Sequence, residues 1–185
     1  DNTWGFFPSV SAEWNVKKEP FLQNFKGIST LKLRTGFGRS GNLGGISAYT
    51  TMNNVQQTGI VPVNNTPTVT LGTIRNNNPD LKWETKSTFN IGGEIGLWNN
   101  RLMLTAEYYY SKTTDMLYAY DVPVPPFAYD KLLANIGSMS NQGVEIGFSI
   151  APVQTKDWDL NVSMNLSFQK NKLLSLSGNY NGMNM

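Results

Sequence analysis

Trp158-Asp159-Leu160-Asn161-Val162-Ser163-Met164-Asn165-Leu166-Ser167-Phe168 alternates without a break between apolar and polar residues. Successive side chains of an extended chain point to opposite sides. The stretch therefore has an oily face of Trp158, Leu160, Val162, Met164, Leu166 and Phe168 and a wet face of Asp159, Asn161, Ser163, Asn165 and Ser167. The same pattern recurs outward from it. Val144, Ile146, Phe148 and Ile150 alternate with Glu145, Gly147 and Ser149, and Leu102, Leu104, Ala106, Tyr108 and Tyr110 stand opposite Thr105 and Glu107. Between Trp83 and Leu97 one face carries Trp83, Phe89, Ile91, Ile95 and Leu97, the other Glu84, Lys86, Thr88, Asn90 and Glu94. Val10, Ala12, Trp14 and Val16 form a further oily face, and Leu31, Leu33, Thr35 and Phe37 lie opposite Lys32, Arg34 and Gly36. The fold class is all-β, with about six antiparallel strands, most near the roughly 9–11 residues that a tilted strand needs to cross a bilayer.

Alternation alone suits either a half-buried sheet or a membrane wall, and the connections decide between them. The links from Lys17 to Thr30, Trp98 to Arg101 and Val153 to Asp157 are short, and Asn99-Asn100 fits a two-residue hairpin whose central residues take positive φ. The links from about Arg39 to Lys82 and from about Ser111 to Gln142 are long. In an up-and-down sheet alternate links share an end, so one rim holds the short turns and the other the long loops. Long extracellular loops and short periplasmic turns are the pattern of a transmembrane β-barrel, whereas structureless loops this long are uncommon in compact soluble domains.

The composition removes several classes of chemistry. The chain has no cysteine and no histidine, which leaves no disulfide framework, no cysteine or histidine zinc site and no Ser-His-Asp triad. Its 15 basic and 13 acidic residues are mixed along the chain and give a net charge of +2, so no basic stripe points to nucleic acid. No apolar run approaches a transmembrane helix. Single-chain barrels start at eight strands, and six open strands would leave edges that hydrocarbon does not tolerate. Both ends of the chain therefore read as cuts through a larger barrel.

Four segments resemble signatures of the SusC-like TonB-dependent transporters of the Bacteroidetes outer membrane. They are Phe6-Phe7-Pro8-Ser9-Val10-Ser11-Ala12-Glu13-Trp14 with Glu19-Pro20-Phe21, then Leu31-Lys32-Leu33-Arg34-Thr35-Gly36-Phe37-Gly38-Arg39-Ser40-Gly41-Asn42. Asn78-Pro79-Asp80-Leu81-Lys82-Trp83-Glu84-Thr85 is the third, and Asn135-Ile136-Gly137-Ser138-Met139-Ser140-Asn141-Gln142-Gly143-Val144-Glu145 the fourth. The resemblance implies that residues 1–185 are a partial TonB-dependent receptor β-barrel domain from the later part of a 22-stranded barrel, without the plug, the TonB box and the final strands. It also implies a cell outer membrane location and import of a glycan, an oligopeptide or another nutrient. The implied partners are a SusD-like surface lipoprotein, the TonB complex through the N-terminal part, the rest of the same barrel and outer-membrane lipid. No cofactor, no metal and no catalysis are expected.

Individual residues then acquire expected roles. Pro79 fixes its own φ and holds Asn78 out of the helical region, so the third motif reads as the re-entry of a long loop into its strand rather than as ligand contact by Asp80 or Glu84. Gly36, Gly38 and Gly41 read as close backbone approach or a bulge. Trp14, Trp98 and Trp158 suit an aromatic girdle at the short-turn rim, with Trp83 and Tyr109 less clearly placed. Glu13, Lys32, Arg34, Glu84, Lys86, Glu94, Glu107 and Glu145 share the lumen-facing side, because an Arg or Lys on the lipid face near the midplane costs about 2–4 kcal/mol. Tyr49, Tyr118, Tyr120, Phe127 and Tyr129 lie in the long connections, where they either contact ligand or lid or pack the loops on one another. The competing fold is a soluble β-sandwich binding or adhesin module, which requires Greek-key links and two sheets with buried inner faces.

Overall fold

The computed structural model describes residues 4–44, 46, 50–52 and 54–176 in full, and the backbone alone at residues 179–180 and 183–184. The alternating segments form strands β1 (Ser9–Asn15), β2 (Ile28–Asn42), β5 (Glu84–Leu97), β6 (Leu102–Asp121), β7 (Lys131–Gln154) and β8 (Asp159–Ser175). They join in one antiparallel sheet of order β1-β2-β5-β6-β7-β8. Strands β3 (Val55–Val63) and β4 (Thr66–Thr73) form a separate hairpin between β2 and β5, and β9 (Asn179–Tyr180) pairs with β10 (Met183–Asn184). A 3-10 turn at Val16–Lys18 and the single-turn helix α1 (Pro20–Gln23) fill the link from β1 to β2.

The register carries one face across all six strands. Trp14, Leu33, Gly93, Ala106, Ile146 and Leu166 lie side by side in one row, and Ala12, Thr35, Ile91, Tyr108, Val144 and Phe168 in the next. On the other side Glu13, Arg34, Gly92, Glu107, Glu145 and Ser167 form the matching row. From Phe89 to Leu97 the apolar face runs about 27 Å along the strand, or about 21 Å in height at a barrel's tilt, close to the apolar band of an outer-membrane wall.

The oily side is open rather than packed. Val10 is 69% exposed, Ile91 51% and Leu166 43%, and no second sheet lies against them among the described residues. A β-sandwich would bury this face, so the soluble alternative fails on its own requirement. Most of the buried apolar side chains gather instead beyond the outer end of the band, at Leu81, Tyr120, Val122, Leu132 and Ala134, while Val16 is buried at the short-turn end.

The turns follow their residues. In the link from β5 to β6 the Arg101 N–H donates to the Trp98 carbonyl at 3.3 Å, and the two central residues, Asn99 and Asn100, have φ of 58° and 61°. Both are left-handed, as is Trp98 at 53°, so the loop is the four residues between the paired Leu97 and Leu102 rather than the two expected. The two long connections differ from expectation. The segment 39–82 encloses the β3–β4 hairpin, closed by Asn64 and Asn65 at φ of 51° and 64°. The segment 111–142 is mostly strand, because β6 and β7 continue outward to Asp121 and Lys131, leaving residues 122–130 as its tip. Beyond the apolar band neither face meets hydrocarbon, so the sequence loses the alternation that marked these strands below.

Candidate translocation wall and its outer junction

On the polar face an ion pair spans a whole strand. Arg34 on β2 and Glu107 on β6 are both in register with Gly92 on the intervening β5, and the Arg34 guanidinium bonds the Glu107 carboxylate. The two backbones are about 10 Å apart. The bare Gly92 leaves the path clear, since a Cβ there would lie 3.3 Å from the Glu107 Cβ and Cγ. Asn90 Nδ2 donates to the second Glu107 oxygen at 3.4 Å, and Lys32 approaches Glu13 at 3.8 Å. Glu107 faces Glu145 directly, and Lys32 faces Glu94. Lys86 is flanked by Ser40 and Thr113. These pairs are half-exposed, so each contributes at most about 1 kcal/mol; they solvate the wall and set its charge pattern more than they hold it together.

At the outer end of the wall the four sequence motifs meet. The Phe7 ring of the first lies 5.5 Å from the Trp83 ring of the third, over Gly41 of the second, where any side chain would overlap the Phe7 ring. Asn42 Nδ2 donates to Glu84 Oε2 at 2.9 Å, while Glu84 Oε1 accepts the Leu117 N–H at 2.8 Å. Asn135 of the fourth motif accepts the Lys82 N–H at 2.9 Å and donates to the carbonyls of Lys82 and Asp115, each at 2.8 Å. Lys82 Nζ lies 2.7 Å from Asp115 Oδ1. All these bonds converge on a bulge in β6, where Asp115 has φ of 58° and the pairing with β7 shifts between Thr113 and Leu117. Asn78 Oδ1 accepts the Asp80 N–H at 2.9 Å, an Asx turn, and its Nδ2 donates to the Leu133 carbonyl at 2.9 Å. The third motif thus acts as a re-entry clamp, with Glu84 serving as a backbone acceptor at the junction.

The loop aromatics divide by environment. Tyr49 lies outside the described residues. Tyr118 is 54% exposed and meets Tyr120 edge-on at 5.2 Å. Tyr120 is 7% exposed, and its burial, followed by the neighbouring Tyr118, raises its phenol above the ordinary 10.0. The Tyr129 hydroxyl bonds the Thr73 carbonyl, tying the end of β4 to the β6–β7 tip, and the Phe127 N–H donates to the Pro123 carbonyl at 3.3 Å. Tyr118 and Tyr129 therefore differ in role, the first presenting a ring to the surroundings and the second joining two loops.

Sequence reasoning missed Asn76, whose Nδ2 donates to the carbonyls of Tyr129 and Lys131 and whose Oδ1 accepts the N–H groups of Ala128 and Tyr129. Its signal was the run Asn76-Asn77-Asn78 before Pro79, three side chains able to stand in for backbone partners. Asn76, Asn78, Arg75, Leu81, Lys131 and Leu133 border a cavity of about 400 Å³. The hydrogen bond that Lys131 Nζ donates to the Asp121 carboxylate holds the Lys131 ammonium above its ordinary 10.5. No group of three His, Cys, Asp or Glu side chains suited to a metal ion occurs among the described residues.

Comparison with known proteins agrees with this wall. The family model for the TonB dependent receptor-like β-barrel matches residues 1–183. TonB-dependent receptor P26 of Formosa agariphila is 36% identical over 188 residues, covering 96% of this chain and 18% of that protein. TonB-dependent receptor SusC of Bacteroides thetaiotaomicron is 34% identical over 181 residues, again covering 96% of the chain and 18% of the relative. The RagAB peptide importer in its open-open state superposes with a TM-score of 0.81 at 29% identity, covering 92% of this chain and 18% of that one. The chain thus spans about a fifth of the length of the relatives it matches. It belongs to the TonB-dependent receptor β-barrel family, on the branch of SusC and RagA, and forms part of the wall of such a barrel.

Proposed function

We propose that this wall belongs to an outer-membrane importer that passes a nutrient, a glycan or an oligopeptide, through its lumen in a TonB-dependent step, with a SusD-like lipoprotein closing the outer mouth. Residues 1–185 would then be a partial barrel domain that contributes no covalent chemistry. The observation that carries the reading is the register, which within the apolar band keeps one side of the sheet oily and the other polar from strand to strand. Lys32, Arg34, Glu84, Lys86, Glu94, Glu107 and Glu145 fall on the polar side, in keeping with a hydrated passage. The relatives support the class of activity, SusC by its name as a TonB-dependent receptor and RagAB by its description as a peptide importer. Tyr118, the exposed ring of the outer loops, is the side chain we assign to ligand or lid contact.

The test uses the full-length parent protein in an outer membrane. Uptake of labelled glycan or peptide mixtures should require the protein and should stop when the inner-membrane proton gradient is collapsed. Affinity purification should bring down a surface lipoprotein in stoichiometric amount. Uptake that continues without the gradient, or a parent recovered from the soluble fraction, would overturn the proposal.

A further inference from the structure

The register sorts the charges of the wall by sign as well as by face. From the short turns outward to the row that holds Arg39, the charged side chains on the oily side of the paired strands are Arg39, Lys112, Lys170 and Lys172, all cationic. Over the same span the polar side mixes Glu13, Glu94, Glu107 and Glu145 with Lys32 and Arg34.

Three of the four cations share one row. Arg39 faces Ser87, Ser87 faces Lys112, Lys112 faces Ser140 and Ser140 faces Lys172. A cation thus recurs on every second strand, about 10 Å apart, with a short serine between. Lys170 lies one row further in, in the last row of the band, with Gln142, Tyr110, Phe89 and Phe37. All four side chains are exposed, and none takes part in the four salt bridges among the described residues.

Depth identifies what faces them. The Arg39 row lies two residues, about 7 Å along the strand, beyond the exposed rings of Phe37, Phe89 and Tyr110 that end the apolar band. Oily side chains on this face meet acyl chains, so the next row outward on the same face meets headgroups. Long basic side chains suit that level, burying their stems in the hydrocarbon boundary and lifting their charges to the polar layer. Guanidinium and ammonium groups both bond phosphate oxygens, Arg through a two-pronged contact. We propose that Arg39, Lys112, Lys170 and Lys172 form a cationic belt on the outside of the barrel that docks the phosphate-bearing headgroups of outer-leaflet lipid. The belt rests on the membrane reading of the wall and assigns to its lipid contact a headgroup chemistry and the residues that meet it.

The test is made on the full-length parent, reconstituted in phosphatidylcholine vesicles with and without lipid A, a glycolipid carrying two phosphates. The quadruple variant Arg39→Gln, Lys112→Gln, Lys170→Gln, Lys172→Gln should lose retained lipid A by at least about tenfold after detergent extraction, as expected for removal of several headgroup charges. Exchanging Arg39→Lys, Lys112→Arg, Lys170→Arg and Lys172→Arg should preserve retention, which separates lost charge from lost folding. Dephosphorylated lipid A should be retained poorly by both proteins, and millimolar inorganic phosphate should not displace lipid A. Equal retention by the glutamine variant and the native protein, retention indifferent to the lipid's phosphates, or displacement by inorganic phosphate would each overturn the belt while leaving the membrane reading intact. Failure of the native protein to enter vesicles would overturn both.

Discussion

Asn135 brackets Lys82, accepting its N–H at 2.9 Å and donating to its carbonyl oxygen at 2.8 Å, so that one side chain of β7 replaces a strand partner for the residue entering β5. The same amide reaches the Asp115 carbonyl in the β6 bulge. Asn135→Ala removes all three bonds and leaves the partly buried Asp115 carbonyl unmatched, which should destabilise the barrel by about 1–3 kcal/mol. Urea unfolding of the full-length protein in vesicles measures the loss. Amide exchange should accelerate at Lys82 and leave β8 unchanged.

The assignment of faces makes a sharper prediction. Ile146 lies in the middle of the oily rows, while Asn165 faces Gly147 on the opposite side. Ile146→Lys should cost about 2–4 kcal/mol, whereas Asn165→Lys should change stability by no more than about 0.5 kcal/mol. Equal costs for the two in the same unfolding assay would contradict the orientation of the wall.

Gly41 and Phe7 should be coupled. Gly41→Ala drives the Phe7 ring away from Trp83, shifting tryptophan emission and lowering stability. In a Phe7→Ala background the space is already free, so the same change should cost little. A double-mutant cycle should return a coupling of about 0.5–3 kcal/mol.

Alkaline titration reports on the outer core. Tyr120 lies beyond the β6 bulge, outside the apolar band, and its folded pKa is raised by burial and by Tyr118. The fold therefore favours the neutral phenol. Its contribution to stability is complete below pH 10.0 and is lost as pH rises through the raised folded value. The difference in phenolate absorbance between the native protein and Tyr120→Phe should show one phenol ionising above pH 10.0.

The wall was legible wherever one face meets oil and the other water. Trp158 to Phe168 could be read directly because hydrocarbon penalises any slip of register, and Asn99-Asn100 because its turn needs left-handed residues. Past the apolar band that constraint ends. Leu117, Tyr118, Ala119 and Tyr120 are apolar in succession, so the outward continuation of β6 carries no alternating signature. The β3–β4 hairpin did carry a local sign, Asn64-Asn65 between two runs rich in Val and Thr, and the length of the surrounding link obscured it. Asn135 with Lys82, Asn76 with the β6–β7 tip and Tyr129 with Thr73 join residues more than fifty positions apart. A single sequence holds no record of such meetings.

Pro62 on β3 stands directly opposite Pro67 on β4, next to the turn, in a hairpin without a charged residue from Val55 to Thr73. An uncharged ribbon rich in valine and threonine invites a neighbour's strand to zip onto its margin. Proline has no amide hydrogen to offer, so the end of this ribbon is blunted along both borders. A ribbon capped in this way can stand apart from the main sheet without seeding fibres between adjacent molecules.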